Sequence, residues 1–239
     1  MTETAAVIVQ ARMGSSRLPG KSLAPIAGRS LVARVIERLS ARSSVPVVLA
    51  TTTLAEDDRL ADEVERLGVP VFRGSAEDVL GRYAFVASAI GLTHVIRATA
   101  DNPAVDLDAP RRTLDVLTRT GADYVIDFGL PIGAAVEAMS ASALYRAAAL
   151  ATDAYDREHV TPFIKRDPRA RALDLLAPSP LRRSDLRLTV DTAEDLDAMR
   201  RLYEEIGAHE TPAPLDVFIA AADRLAMRAR HAEPGVDVR

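Results

Sequence analysis

Between Val7 and Leu23 the chain reads VIVQARMGSSRLPGKSL, which sets three cations, Arg12, Arg17 and Lys21, among the small residues Gly14, Ser15, Ser16 and Gly20. Small residues let backbone N–H groups approach an anion, and neighbouring cations neutralise its charge. The chemistry this suits is polyphosphate binding. A P-loop is the first candidate, because Gly14 and Gly20-Lys21-Ser22 imitate its two ends. The spacing is wrong: five residues, Ser15 to Pro19, stand where the P-loop has four, and Pro19 stiffens the backbone that should form a nest. Ala24-Pro25-Ile26-Ala27-Gly28 then keeps the chain extended where a P-loop runs into its helix, and the dinucleotide pattern G-x-G-x-x-G is absent.

Five further groups of residues could carry chemistry. Ala50-Thr51-Thr52-Thr53 offers hydroxyls that either read a base edge or satisfy turn backbone groups. Arg73-Gly74-Ser75 precedes Asp78 and Arg82, whose spacing of four suits a surface ion pair on a helix. Val95 to Pro103 ends an apolar run in Arg97 and Asp101-Asn102-Pro103, where Asp101 is a turn initiator or a metal ligand. Leu188 to Leu196 likewise ends an apolar run in Asp191 and continues into Thr192-Ala193-Glu194-Asp195. Glu137, with Asp156-Arg157-Glu158-His159, could bind hydroxyls and a carboxylate, although His159 is also readable as a structural histidine. Asp106-Leu107-Asp108 spells the D-x-D of metal-dependent glycosyltransferases but reads better as the cap of the next helix.

The elements that must position these residues alternate. Ala5 to Val9, Val45 to Ala50, Val69 to Phe72 and Thr93 to Ala98 read as strands buried on both faces. Between them, helical periods run from Leu31 to Ala41 behind a Ser30 cap, from Glu56 to Leu67 up to Gly68, through to Ala89 before Gly91, and from Asp108 to Thr120 before Gly121. This winding predicts an α/β fold: one domain over residues 1–230, with a mainly parallel, doubly wound sheet flanked by helices and its sites at the C-terminal strand ends. The second half is less regular. Strands are expected at Ala122 to Asp127, Val136 to Met139, Leu173 to Leu176 and Leu186 to Val190. Helices are expected at Ser142 to Thr152, Asp156 to Arg166, Thr192 to Ile206 and Leu215 to Arg228, with a frayed tail at 231–239.

Composition narrows the class. With 239 residues, 48% hydrophobic and 27% charged, the chain reads as an ordinary soluble globular protein. A net charge of -4 argues against a nucleic-acid partner. The absence of cysteine excludes disulfides, thiolate metal sites and a cysteine nucleophile. No basic segment and apolar run open the chain, and no stretch reaches the length of a membrane span, so cytoplasmic residence is the expectation.

Several of these segments together resemble the sugar cytidylyltransferases, the family of CMP-KDO synthetase and N-acylneuraminate cytidylyltransferase, and most closely its spore coat polysaccharide branch. The resemblance rests on Gln10-Ala11-Arg12, Ser15 to Lys21, Gly28 to Leu31, the Arg-Gly-Ser-x-x-Asp-Val-Leu-x-Arg-Tyr run from Arg73 to Tyr83, Val95 to Pro103, Pro131-Ile132-Gly133 with Glu137, Arg157 to Pro162, and Val190 to Leu196. It implies a GT-A-like nucleotide-diphospho-sugar transferase fold and transfer of CMP from CTP to a small anionic acceptor, a sugar acid or phosphonate. Ala11, Arg12, Gly14, Ser15, Ser16, Arg17, Gly20, Lys21, Thr51, Arg73, Arg82 and Arg97 would then bind nucleotide. Lys21, Arg12, Asp101 and Asp191 would be catalytic, with Asp101 and Asp191 holding magnesium. Glu137, Arg157, Glu158 and His159 would bind the acceptor. The longer inserted segment that serves dimer contacts in the sialate and KDO enzymes is missing, which leaves a homodimer and the acceptor open. Guanylyl or other nucleotidyl transfer, glycosyl transfer through Asp106 and Asp108, and a catalytically silent nucleotide-binding subunit are the alternatives.

Overall fold

A computed structural model describes residues 4–207 and 211–227. The first strand, β1 (Ala5–Gln10), is fully buried from Ala6 to Val9, as its apolar, β-branched sequence requires. The phosphate-type loop follows, then a small hairpin of β2 (Pro25–Ile26) and β3 (Arg29–Ser30) and helix α1 (Leu31–Ala41). Ser30 caps α1 by accepting the amide of Ala33. Next come β4 (Val47–Thr52), α2 (Asp58–Arg66), β5 (Val71–Gly74), α3 (Val79–Ala89), β6 (His94–Thr99) and α4 (Ala109–Thr120). Gly121 closes α4 with a left-handed φ of 63°, the conformation that favours glycine. Then follow β7 (Tyr124–Phe128), β8 (Glu137–Ser140), α5 (Ala141–Leu150), α6 (Ala154–His159), α7 (Pro162–Arg166), β9 (Ala172–Leu176), α8 (Ala193–Ile206) and α9 (Leu215–Arg224).

Among the described residues seven strands form one sheet in the order β5-β4-β1-β6-β8-β7-β9, parallel except for β8, which runs antiparallel to both neighbours. Alternate residues of the strands face opposite layers. Val7, Val9 and Leu49 pack under α1, α2 and α4, while Ala6, Ile8, Val48 and Val95 pack under α3 and α5. A third cluster joins α8 and α9 to the β2–β3 hairpin and the segment around Leu188. From β1 the chain winds outward through β4 to β5 and then returns to β6 on the other side of β1. The crevice at that reversal, outside the C-terminal ends of β1 and β6, is where a doubly wound sheet binds ligand.

Four expectations are corrected. Leu186 to Val190 is not a strand of the sheet; an isolated bridge between Ile132 and Arg187 is its ladder contact, because Leu186, Leu188 and Val190 turn into the third cluster. Asp191 therefore ends an extended segment, not a strand. The helix expected over Asp156 to Arg166 is two helices broken at Val160, whose φ is 70°; Pro162 lacks the amide that a continuous helix needs and instead starts α7. Asp108 does not cap α4 with its side chain, which pairs with Arg42, while the Asp106 carboxylate pairs with Arg112. The last helix ends at Arg224, and residues 228 and 231–239 lie outside the described residues.

Candidate nucleotide-transfer site

A cavity of about 320 Å³ opens at the switch point. Each wall comes from the end of an element. The loop after β1 supplies Ala11, Arg12, Ser15, Ser16, Arg17 and Lys21, and the end of β6 supplies Arg97 and Asp101. Arg82 projects from α3, Glu158 and His159 from the C-terminal end of α6, and Asp191 from the segment before α8. Twelve residues named from sequence thus meet in one cavity although they span Ala11 to Asp191.

The loop is held in a fixed shape. The Met13 carbonyl accepts the amides of Ser15 and Gly20, both at 2.9 Å, and the Arg12 carbonyl accepts the Ser22 hydroxyl at 3.1 Å. Gly20 takes a φ of 76°, which lets the chain turn into a short 3-10 helix at Lys21–Leu23. The Lys21 ammonium donates to Asp101 Oδ2 at 3.1 Å, Asp191 Oδ1 at 3.2 Å and the Val190 carbonyl at 2.8 Å. Arg17 reaches Asp191 at 2.9 Å and Arg187 reaches it at 2.5 Å. Burial alone would raise the Asp191 carboxyl, but Lys21, Arg17 and Arg187 hold it below the usual carboxylate range. The Val190 amide donates to the Asp101 carbonyl at 2.8 Å, so backbone pairing as well as charge joins the two aspartates. They converge as expected, although only Asp101 follows a strand.

Arg82 departs from the surface ion pair that its spacing suggested. Asp78 caps α3 through the Gly81 amide and pairs with Arg157 at 3.2 Å, while Arg82 turns back to donate to the Ser75 carbonyl. Arg82 is 5% exposed and has no carboxylate within ion-pair distance among the described residues. Arg12 pairs with Glu158 at 3.3 Å and also reaches the Ala76 carbonyl at 3.4 Å. The cavity therefore holds five basic side chains, of which Arg82 has no ion-pair partner among the described residues, and it suits a highly charged anionic ligand.

Six residues named from sequence lie behind the cavity. Gly14 packs against Glu56, whose Oε1 would stand 2.7 Å from a Cβ at that position, and Gly20 forms the turn. Thr51 is fully buried on the face of Val47 and Leu49, with its hydroxyl unpartnered. Arg73 donates to the Thr52 and Leu54 carbonyls and pairs with Asp58 at 2.7 Å. Arg157 ties α6 to α5 and α3 through the Ala148 carbonyl and Asp78. Glu137 sits opposite Arg97 in the β6–β8 pair and accepts from it. Its other oxygen accepts from the Tyr124 hydroxyl at 2.5 Å, the Thr161 hydroxyl at 2.9 Å and the Lys165 ammonium at 3.0 Å. Burial would raise this carboxyl, but Arg97, Lys165 and Tyr124 hold it at about 2.

Thr99 and Val79 also line the cavity without a ligand role expected from sequence, as does Gln10, which the sequence placed in the loop motif but not among the binding residues. Gln10 accepts from Arg97 Nε at 3.2 Å. Its position at the end of β1, just before the loop, was the available signal. Asp106 and Asp108 do not line the cavity, which removes the placement that a D-x-D metal site needs.

A doubly wound sheet with a cationic loop and two carboxylates at its switch point suits a phosphate-bearing ligand, as a nucleotidyltransferase requires. Residues 6–214 match the family described as Cytidylyltransferase, and the chain belongs to that family. It is a CTP-dependent nucleotidyltransferase. The spore coat polysaccharide biosynthesis protein SpsF of Bacillus subtilis (strain 168) is 35% identical over 211 residues, which cover 84% of this chain and 86% of that protein. A solved cytidylyltransferase from Leptospira borgpetersenii superposes with a TM-score of 0.87 at 25% identity, over 97% of this chain and 100% of that one. CMP:2-keto-3-deoxy-manno-octonic acid synthetase complexed with CTP shares the fold, with a TM-score of 0.65 at 18% identity over 84% of this chain and 98% of its own. No helix among the described residues is long and apolar enough to cross a membrane.

Proposed function

We propose that this chain transfers CMP from CTP to an oxygen of a small anionic acceptor, a sugar acid or a phosphonate, and releases pyrophosphate. The observation that carries this reading is the meeting of Lys21, Asp101 and Asp191 within hydrogen-bond distance in a cavity rimmed by Arg12 and Arg17. In the transfer, the acceptor oxygen forms a bond to the α-phosphorus of CTP while the bond from that phosphorus to the β-bridging oxygen breaks. A hydroxyl acceptor gives up its proton, and Glu158 and His159 are the cavity groups able to receive it. Arg12, Arg17 and Lys21 neutralise the triphosphate and the departing pyrophosphate, so catalysis is mainly positioning and charge stabilisation.

The donor set fits magnesium. Asp101 and Asp191 point one oxygen each at the Lys21 ammonium and so converge on one place, and magnesium is commonly held by one or two carboxylates while phosphates and water complete its shell. When bound, the ion supplies Lewis-acid charge at the phosphate oxygens. Arg82 and Arg97 lie in the same cavity as Glu158 and His159, which supports an acceptor that carries a negative charge.

A pyrophosphate-release screen tests this reading. CTP, ATP, GTP and UTP are each offered with a panel of sugar acids and phosphonates, with magnesium and with chelator. Release with CTP, an anionic acceptor and magnesium is expected. Comparable release with GTP refutes the cytidylyl preference, and undiminished release in chelator refutes the metal.

A further inference from the structure

The loop that carries Arg12, Arg17 and Lys21 has no strand neighbours of its own, yet its shape is set from outside. Behind it lies the short 3-10 turn Ala55–Asp57, between β4 and α2. Asp57 is fully buried, and its carboxylate joins two elements: Oδ1 accepts the Met13 amide at 2.6 Å, and Oδ2 accepts the Thr52 hydroxyl at the end of β4. Met13 is the hub of the loop, because its carbonyl accepts both the Ser15 and the Gly20 amides. Asp57 thus holds the Met13 amide, one peptide unit before the carbonyl from which both ends of the loop hang.

The turn is itself braced. The Asp57 amide donates to the Leu54 carbonyl at 3.0 Å, the Leu54 amide donates to the Thr52 hydroxyl at 3.1 Å, and Arg73 on β5 reaches the Thr52 and Leu54 carbonyls at 2.8 and 2.9 Å. Gly14 presses on the neighbouring Glu56 so closely that any side chain there would displace it. A continuous line of hydrogen bonds therefore runs from the edge strand β5, through Thr52 and Asp57, to Met13.

We infer that Asp57 is a positioning residue for nucleotide binding: by anchoring the backbone amide of Met13 it presets the loop cations, and Arg73 serves the same line without touching ligand. The inference rests on the reading of this loop as the nucleotide site. A short carboxylate suits the task because it can accept a backbone amide and a hydroxyl at once in a buried place, which an aliphatic residue cannot do. Preorganisation of this kind lowers the ordering cost of binding.

CTP binding to the full chain, measured by calorimetry in magnesium buffer, tests it alongside amide hydrogen exchange of residues 12–20. Asp57→Ala is expected to raise the Kd for CTP at least tenfold and to speed exchange of the loop. Asp57→Asn, whose amide oxygen still receives the Met13 N–H, should stay within about threefold of the parent. A lowered melting temperature with parental Kd and parental loop exchange means that Asp57 is merely structural, and overturns the inference. If Asp57→Ala does not fold, Thr52→Val replaces it. That variant frees Oδ2 of its donor and is expected to raise the Kd by about two- to fivefold with faster loop exchange; parental values there also overturn the inference. Lys21→Ala separates the two levels. If it too leaves CTP affinity unchanged, the loop reading falls and this inference with it; if it weakens CTP while the Asp57 and Thr52 variants do not, only this inference falls.

Discussion

Replacing Glu137 by glutamine keeps the shape of a buried side chain and removes its charge. Glu137 receives four donors: Arg97 on one oxygen and Tyr124, Thr161 and Lys165 on the other. An amide has one oxygen. If it faces the three donors, its NH2 group opposes the Arg97 guanidinium; if it faces Arg97, the NH2 group meets three donors. Either way at least one buried donor loses its acceptor, and both Arg97 and Lys165 lose their counter-charge. Breaking a buried pair by removing one partner costs about 3–5 kcal/mol, and about 3 kcal/mol follows independently from the gap between the ordinary 4.5 and the value of about 2 that Glu137 holds in the fold. The carboxyl is depressed by folding. Its contribution is therefore fully present above pH 4.5 and is lost as pH falls towards about 2. Urea unfolding of parent and Glu137→Gln from pH 7 to pH 3 is the assay. A deficit of about 3 kcal/mol at pH 7, narrowing below pH 4.5, is expected. Subtracting the variant also removes the contribution of Asp191 and the other paired carboxylates. A deficit under about 1 kcal/mol at pH 7, or one that stays constant down to pH 3, refutes the reasoning.

Lys21→Ala should reduce kcat/KM for CTP by about 1.5–3 kcal/mol, about ten- to a hundredfold, through loss of a charge-assisted contact; steady-state kinetics giving parental values would count against it. Circular dichroism of the same variant should match the parent, because Asp191 keeps Arg17 and Arg187. Asp101→Asn and Asp191→Asn should each remove most pyrophosphate release and recover part of it as magnesium is raised, since an amide is a weaker ligand. Asp106→Asn should instead keep its activity and lose about 1.5–3 kcal/mol in urea unfolding, because its carboxylate pairs with Arg112 away from the cavity; an activity loss like that of Asp101→Asn would point to glycosyl transfer.

The first half of the fold was legible because period and punctuation agree there: apolar strands, capped helices and closing glycines all mark the same boundaries. Leu186 to Val190 has the sequence of a strand without being one, for a physical reason. An apolar run states that a segment is buried, but not whether its neighbour is a strand or a helix, and here α8 and α9 cover it. The helix break at Val160 was signalled by Pro162, two positions later, which a helical period over Asp156 to Arg166 overlooks. Within the site, cations and carboxylates could be named from their types and neighbours. Their partners could not. The spacing of Asp78 and Arg82 fits an ion pair, yet the helix needs Asp78 as its cap and the backbone at Ser75 attracts Arg82. Glu137, Arg73 and Arg157 look like ligand-binding residues in sequence and are tied to protein groups in space. Charge alone does not tell a residue that touches ligand from one that holds such a residue.

The place of β8 in the sheet has a consequence for the order in which the molecule is built. It lies between β6 and β7 although it follows both in the chain. The strands β5, β4, β1 and β6 can all pair among themselves once residue 99 has been synthesised, but β7 finds no sheet neighbour until residues 137–140 exist. The cavity divides along the same line. The loop, Arg82, Arg97 and Asp101 precede β7 and β8, whereas Glu158, His159 and Asp191 come after both. A nascent chain therefore has its loop cations long before the second aspartate, and until residue 191 emerges Lys21 has Asp101 as its only carboxylate among the pairs described. On the proposed function, synthesis from the N-terminus makes the cations that would grip the triphosphate available before the residues that would complete the reaction centre.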